Sequence, residues 1–181
     1  MGNFKGVGVV FVRDKIAGWG EAASVEFAGT LDPPDRAIYE RALATSWIPI
    51  DAAGRILVAA ARYLYPDEAD GLRFIGRDMA NEHLTTVYRI LLRVSSVAFA
   101  LSQTANYWRA YHDEGKAIAE RGAEPRTAHL RIVDYPDLPR PFLEFIDGYC
   151  LGMMDLTKVP HGDVARDESD PSNWRFTLTW G

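Results

Sequence analysis

The chain has 181 residues, 48% of them hydrophobic and 12% aromatic, with a net charge of -5 and a pI near 5.4. A chain of this length suits one domain, so 1–181 is read as a single unit that buries about 70% of the surface its unfolded form exposes. An acidic chain with no Lys/Arg run longer than two argues against nucleic acid and anionic membranes, because both are held through basic clusters. The one cysteine, Cys150, forms no intrachain disulfide and no thiolate zinc site, and it suits a reducing cytoplasm. The apolar run from Val7 to Val12 is too short for a signal segment or a membrane span. A soluble, cytoplasmic protein is expected.

The first half reads as helices. Asp32-Pro33-Pro34-Asp35 is a helix start, with Asp32 able to cap and Pro33 suited to the first helical position; the helix is predicted to run to Ala44. A second follows Asp51, with Ile56, Leu57, Ala60, Tyr63 and Leu64 on one stripe, and stops before Pro66. A third is predicted over Asp67 to Ala80 and a fourth over Leu84 to Val94. A fifth carries Val97, Leu101, Ala105, Trp108 and His112 on one stripe and ends at Gly115.

The second half changes period. A strand near Lys116 to Glu120 turns through Gly122 to Pro125 into another, where Ala128, Leu130 and Ile132 alternate with Thr127, His129 and Arg131. Phe142, Phe145, Ile146, Tyr149, Cys150, Met153 and Met154 form a helical stripe between Leu138 and Leu156. Two more strands follow, near Val159 to Arg166 and Trp174 to Trp180. The fold class expected is α+β: a helical N-terminal half, then a ββαββ unit whose antiparallel sheet packs on its helix.

The chemistry-bearing residues give no complete catalytic motif. There is no Gly-x-Ser-x-Gly, and Gly6-Val7-Gly8 lacks the third glycine of a dinucleotide site. His112, in Tyr107-Trp108-Arg109-Ala110-Tyr111-His112-Asp113-Glu114, is either a base, metal ligand or ligand contact, or an interfacial histidine at a helix end. No second histidine at helical spacing completes a metal pair. Asp113 and Glu114 are adjacent and do not face each other. Arg89 and Arg93 share one face of an apolar helix, where they grip an anion or pair with acidic neighbours. Met153 and Met154 read as core filling.

Lys5-Gly6, Ser46-Trp47-Ile48-Pro49, Ile75-Gly76-Arg77, Leu84 to Arg93, Trp108 to Gly115, the helix around Gly148 and the terminal aromatic strand form an ordered set. It resembles a family of bacterial proteins of about this length and unknown function, known as paralogues in myxobacteria. That family is distantly similar to heme-nitric-oxide-binding and 4-vinyl-reductase domains. The resemblance implies a helical part, an antiparallel sheet and a small-molecule cavity between them, often in a dimer. The heme-binding members use a proximal histidine and a Tyr-x-Ser-x-Arg motif before the last helix. Here that stretch reads Arg131-Ile132-Val133-Asp134-Tyr135, so no cofactor is expected, conventional heme included.

The leading expectation is a non-enzymatic sensor or signalling domain binding a small apolar or amphipathic ligand. Tyr88, Arg89, Trp108, Tyr111 and His112 are its ligand-binding residues, with no catalytic or metal residues. The alternative is a protein–protein module, a homodimer or scaffold with no ligand, which calls for a large exposed apolar patch.

Overall fold

The computed structural model describes residues 2–84, 103–157, 159 and 161–181. Among them are seven helices and six strands. Strand β1 (Asn3–Lys5) leads into α1 (Val7–Ala17), α2 (Glu21–Thr30) and α3 (Pro33–Arg41). Strand β2 (Trp47–Pro49), α4 (Ile50–Leu64) and α5 (Gly71–His83) follow. Then come α6 (Thr104–Tyr111), β3 (Lys116–Arg121), β4 (Thr127–Val133), α7 (Arg140–Leu156), β5 (Asp163–Asp167) and β6 (Asn173–Thr179). The α+β reading, helices first and ββαββ second, is what the chain adopts.

The sheet orders its strands β3-β4-β6-β5, every pair antiparallel. Its register sets Ala128 opposite Leu178, Leu130 opposite Phe176 and Ile132 opposite Trp174, and all six are buried. The alternation therefore puts one apolar face inward. On the other face Thr177 Oγ1 lies 3.1 Å from His129 Nδ1, and Arg131 donates to Asn173 and Glu120. These cross-strand polar pairs suit an outer surface.

Helix α7 joins the sheet to the helical part. Phe142, Leu143, Phe145, Ile146, Cys150, Met153 and Met154 are buried with the sheet's inner face and with Ile75 and Met79 of α5 in one core. Helices α5 and α7 cross backbone to backbone. A Cβ on Gly148 would stand 1.9 Å from the carbonyl oxygen of Arg73, and one on Gly76 would stand 2.1 Å from that of Phe145. Only glycine permits this approach.

Sequence and structure differ at several boundaries. The helix from Asp32 has the expected backbone start, but Asp32 makes no side-chain capping bond, and α3 ends at Arg41 before Ala44. The helix expected from Asp67 starts at Gly71, because residues after Pro66 turn first, with the Glu68 amide donating to the Tyr65 carbonyl. β5 starts at Asp163 rather than Val159. The helix expected at Leu84 to Val94 lies, from residue 85 on, outside the described residues, as does the first part of the next. Its described part, α6, stops at Tyr111. His112 is extended, with φ -126° and ψ 138°, and forms an isolated antiparallel bridge with Phe4. The helix yields to this pairing, and Gly115 with φ +70° makes the turn into β3 instead.

Helices α1 and α2 and the β1–β2 pair were not visible in the sequence. α1 buries Val9, Phe11, Val12 and Ile16, and β1 pairs Phe4 with Ile48 of β2.

Candidate functional site

The N-terminus and the α6–β3 corner are tied together. Asp113 Oδ1 accepts from the Asn3 backbone amide at 2.6 Å and Oδ2 from the Asn3 side-chain amide at 2.7 Å. Partial burial acts against the Asp113 anion, but the Asn3 bonds outweigh it and hold the carboxyl below the usual range. Both carboxylate oxygens are thereby committed to Asn3, so His112 and Asp113 are not an acid/base pair.

The neighbouring Phe4 is fully buried at the centre of an aromatic cluster. Its ring lies 5.1 Å from His112, 4.9 Å from Phe142 and 6.0 Å from Phe145. His112 lies flat against Trp108, and its edge contacts Phe142 and Tyr135. Trp108 is itself fixed, its indole N–H donating to the Glu114 carbonyl at 2.9 Å. Such packing covers the His112 ring on its face and its edge.

Behind this cluster lies an apolar cavity of about 50 Å³ between α5, α6, α7 and β4. Met79, Trp108, Tyr111, His112, Tyr149 and Met153 are on its wall. Among the described wall residues none is Lys, Arg, Asp or Glu. His112 is buried and its Nδ1 has no hydrogen-bond partner. Burial pushes its pKa down to about 3, with Asp113 opposing weakly, so the imidazole is neutral at physiological pH. Burial also raises the Tyr111, Tyr149 and Cys150 pKa values, with Tyr149 opposing it at Tyr111. His112, Tyr111, Tyr149 and Cys150 are thus held uncharged on this wall.

Of the five residues expected to bind ligand, Trp108, Tyr111 and His112 come together on this wall. Tyr88 and Arg89 lie outside the described residues. The sequence reading missed Phe4, Met79, Phe145 and Tyr149, and it took Met153 for plain core. Phe145, Tyr149 and Met153 were marked by the α7 stripe, but a stripe does not tell a cavity wall from a filled core. For Phe4 no sequence signal existed, since its aromatic partners are more than a hundred residues away.

No protein-family model matches the chain, and no curated protein does. Solved structures do. An Fe(II) unliganded H-NOX protein from K. algicida superposes with a TM-score of 0.68, at 9% identity, over 98% of this chain and 96% of its own. An H-NOX protein from S. oneidensis in the Fe(II)NO state gives 0.68 at 12% identity, over 98% of this chain and 99% of its own. An oxygen-binding H-NOX domain described as related to soluble guanylate cyclases, in its oxygen complex, gives 0.60 at 13% identity, over 97% and 92%.

These likenesses correct the cofactor expectation. The departure from Tyr-x-Ser-x-Arg points away from a cofactor, conventional heme included; yet the fold is that of H-NOX proteins described in Fe(II) and Fe(II)NO states. One short motif is too narrow a basis for an exclusion when the whole chain follows the fold. A test of fit gives a mixed result. The unpartnered His112 Nδ1 has the chemistry of an axial ligand. The cavity between the described residues, at about 50 Å³, is far below the roughly 300 Å³ at which pockets for larger ligands begin, and the described walls leave no room for a tetrapyrrole. Among the described residues no cluster of three His, Cys, Asp or Glu could hold a metal ion, and no helix is long and apolar enough to cross a membrane. Over nearly its whole length, the chain has the fold of the heme-nitric-oxide-binding (H-NOX) domains.

Proposed function

We propose that this chain is a sensor domain that binds a small molecule in the cavity between α5, α6, α7 and β4. The observation that carries the reading is a cavity of about 50 Å³ whose described wall is largely aromatic and aliphatic and includes the buried His112. A concave apolar site with a few polar side chains around it is the usual setting for a small ligand. Trp108, Tyr111 and His112 are the ligand contacts in this reading. The fold neighbours support it, since one is described as oxygen-binding.

The readout follows from Phe4. Its ring touches both His112 and Phe142, and it stands on β1, which pairs with β2 at the entrance to α4. A molecule pressing on His112 would be felt at Phe4 and passed to the helical part. Native mass spectrometry of the purified protein, with a thermal-shift panel of small neutral molecules, tests the reading. A bound or stabilising molecule is expected, and the absence of both would end it.

The second reading, a protein–protein module, draws on exposed apolar side chains: Leu43 at 65% and Trp47 at 45% in the α3–β2 region. Lys5 Nζ sits 4.1 Å from the Trp47 ring centre, which gives that surface a cationic rim. Light scattering after size exclusion distinguishes the two: a dimer that Leu43→Ser plus Trp47→Ser dissociates favours the module.

A further inference from the structure

We infer that β3 is a docking edge for a second copy of this chain: two β3 strands pair antiparallel about a two-fold axis at Ile118 and join two four-stranded sheets into one of eight. This goes beyond the sensor reading and does not depend on it.

β3 stands at one edge of the sheet and reads Lys116-Ala117-Ile118-Ala119-Glu120-Arg121. The bond from the Gly122 amide to the Thr127 carbonyl continues the β3–β4 ladder and fixes its phase. Lys116, Ile118 and Glu120 therefore turn their amides and carbonyls to β4, while Ala117, Ala119 and Arg121 turn theirs outward. The far edge is guarded: Arg73 Nη2 of α5 donates to the Val164 carbonyl of β5 at 3.4 Å and to Asp163 at 3.3 Å. On β3 the side chains of the outer face lie open, with Ile118 at 38% between the exposed Lys116 and Glu120.

The side-chain pattern names the occupant. Outward-turned residues must oppose outward-turned residues, so the possible registers differ in steps of two. In one of them Ile118 meets its own symmetry mate, Ala117 opposes Ala119, and Lys116 opposes Glu120. Two-fold symmetry repeats each pairing, so two Lys–Glu pairs flank a central isoleucine pair. All three fall at the narrow positions, where facing side chains approach most closely. One step to either side sets Ile118 against Glu120 or against Lys116, and a further step sets Glu120 against itself. Lys-Ala-Ile-Ala-Glu is thus complementary to its own reverse in a single register. A lysine on an edge strand ordinarily discourages pairing; here a glutamate faces it. Lys116 already donates to Asp134, and Glu120 accepts from Arg131 through Oε1. An ammonium has three donors and a carboxylate two oxygens, so each can serve a second contact.

The test is light scattering after size exclusion on the full chain, from micromolar to millimolar concentration. The unmutated chain should show a concentration-dependent monomer–dimer equilibrium. Lys116→Glu and Glu120→Lys each place like charges opposite one another in both pairs, and each should raise the dissociation constant about tenfold or more. An equimolar mixture of the two variants should recover a constant close to that of the unmutated chain, because an acidic strand then faces a basic one. Recovery on mixing also shows that neither variant is misfolded. Ile118→Cys should form an interchain disulfide on mild oxidation, since its Cα and that of its mate would stand about 4.5 Å apart, within reach of the bond. Ala119→Cys, on the inner face, should not, and the native Cys150 is buried.

A chain that stays monomeric at millimolar concentration overturns the inference and leaves the sensor reading standing. A dimer that Lys116→Glu leaves intact and that Leu43→Ser plus Trp47→Ser dissociates overturns it in favour of the α3–β2 surface. If both charge reversals weaken the dimer but mixing them restores nothing, the strands do not meet in this register and the inference falls.

Discussion

The imidazole of His112 lies parallel to the indole of Trp108, ring centres 3.9 Å apart and planes 7° from coplanar. The stack forms although the helix ends between them, because the extended backbone at His112 folds its ring back over the last turn. Trp108 in turn is held by the Glu114 carbonyl beyond the stack. The indole is therefore the plate on which the histidine is positioned.

Trp108→Phe is expected to cost about 1 kcal/mol, since a ring remains for stacking but the bond to Glu114 is lost. Trp108→Ala should cost about 3–5 kcal/mol, because the largest buried side chain of the corner is removed. Urea unfolding measures both. Equal costs for the two would mean that the indole's bulk and stacking count for nothing beside its one hydrogen bond.

Two buried groups set opposing pH dependences. His112 titrates near pH 3 in the folded protein and near ~6.5 when unfolded. Its folded pKa is depressed, so the unfolded chain gains a proton first on acidification. Its contribution is complete above pH ~6.5 and falls by about 1.4 kcal/mol for each unit below that. Asp147 behaves in reverse. Burial raises its carboxyl to about 6, outweighing Arg166, whose Nη1 donates to it at 2.7 Å, and Arg73. Its folded pKa lies above the unfolded value of ~3.9, so stability rises as pH falls from about 6 to about 4. Over that range the two contributions nearly cancel. Asp147→Asn should uncover the His112 loss, so its stability relative to wild type declines from pH 6 to pH 4. His112→Phe should do the opposite. Unfolding curves at pH 4, 5, 6 and 7 settle this, and difference profiles flat in pH would refute it.

What the sequence made legible was periodic. The alternation in β4 and β6 and the stripe on α7 fixed the ββαββ unit, and Ile56, Leu57 and Ala60 marked α4 as an amphipathic helix. What stayed hidden lacked a period or a local partner. The apolar residues of α1 run together as Val9, Val10, Phe11 and Val12, which does not distinguish a buried helix from a strand. β1 and β2 are three residues each and pair across α1, α2 and α3. The candidate site was half legible for the same reason. Trp108 and His112 announced themselves by sharing a stripe. Phe4 and Asn3, which hold them from the other end of the chain, did so only once the fold had brought them there.

Asp35 and Arg55 predict an asymmetry between partners. Asp35 is nearly buried on α3 and receives two bonds of 2.7 Å from Arg55 on α4, whose own side chain is 58% exposed. Removing the arginine leaves a buried carboxylate without its counter-charge; removing the aspartate leaves an arginine that water can solvate. Arg55→Met is therefore expected to cost about 2–3 kcal/mol, more than Asp35→Leu, and the double variant should recover most of the loss. A double-mutant cycle by denaturant unfolding gives the three values. Arg55→Met costing less than Asp35→Leu would show that the bond rather than the stranded charge dominates.

Gly148 and Gly54 should respond in opposite directions to the same substitution. Both are helical and buried. An alanine methyl at Gly148 would meet the Arg73 carbonyl oxygen at 1.9 Å, a backbone atom of a helix that is itself packed. Relief requires α5 and α7 to separate, with loss of contact along the whole crossing, so Gly148→Ala should cost about 3 kcal/mol. At Gly54 the nearest atom is a ring carbon of Phe142 at 3.4 Å, an ordinary contact. There the methyl meets no obstacle and the helix gains in propensity, so Gly54→Ala should be neutral or stabilising by up to about 1 kcal/mol. Because α7 carries Phe145, Tyr149 and Met153 of the cavity wall, Gly148→Ala should also loosen the cavity. The Met153 methyl resonance should then broaden or move in Gly148→Ala and stay in place in Gly54→Ala. If both variants unfold at the same denaturant concentration as wild type, the two helices do not depend on this close approach.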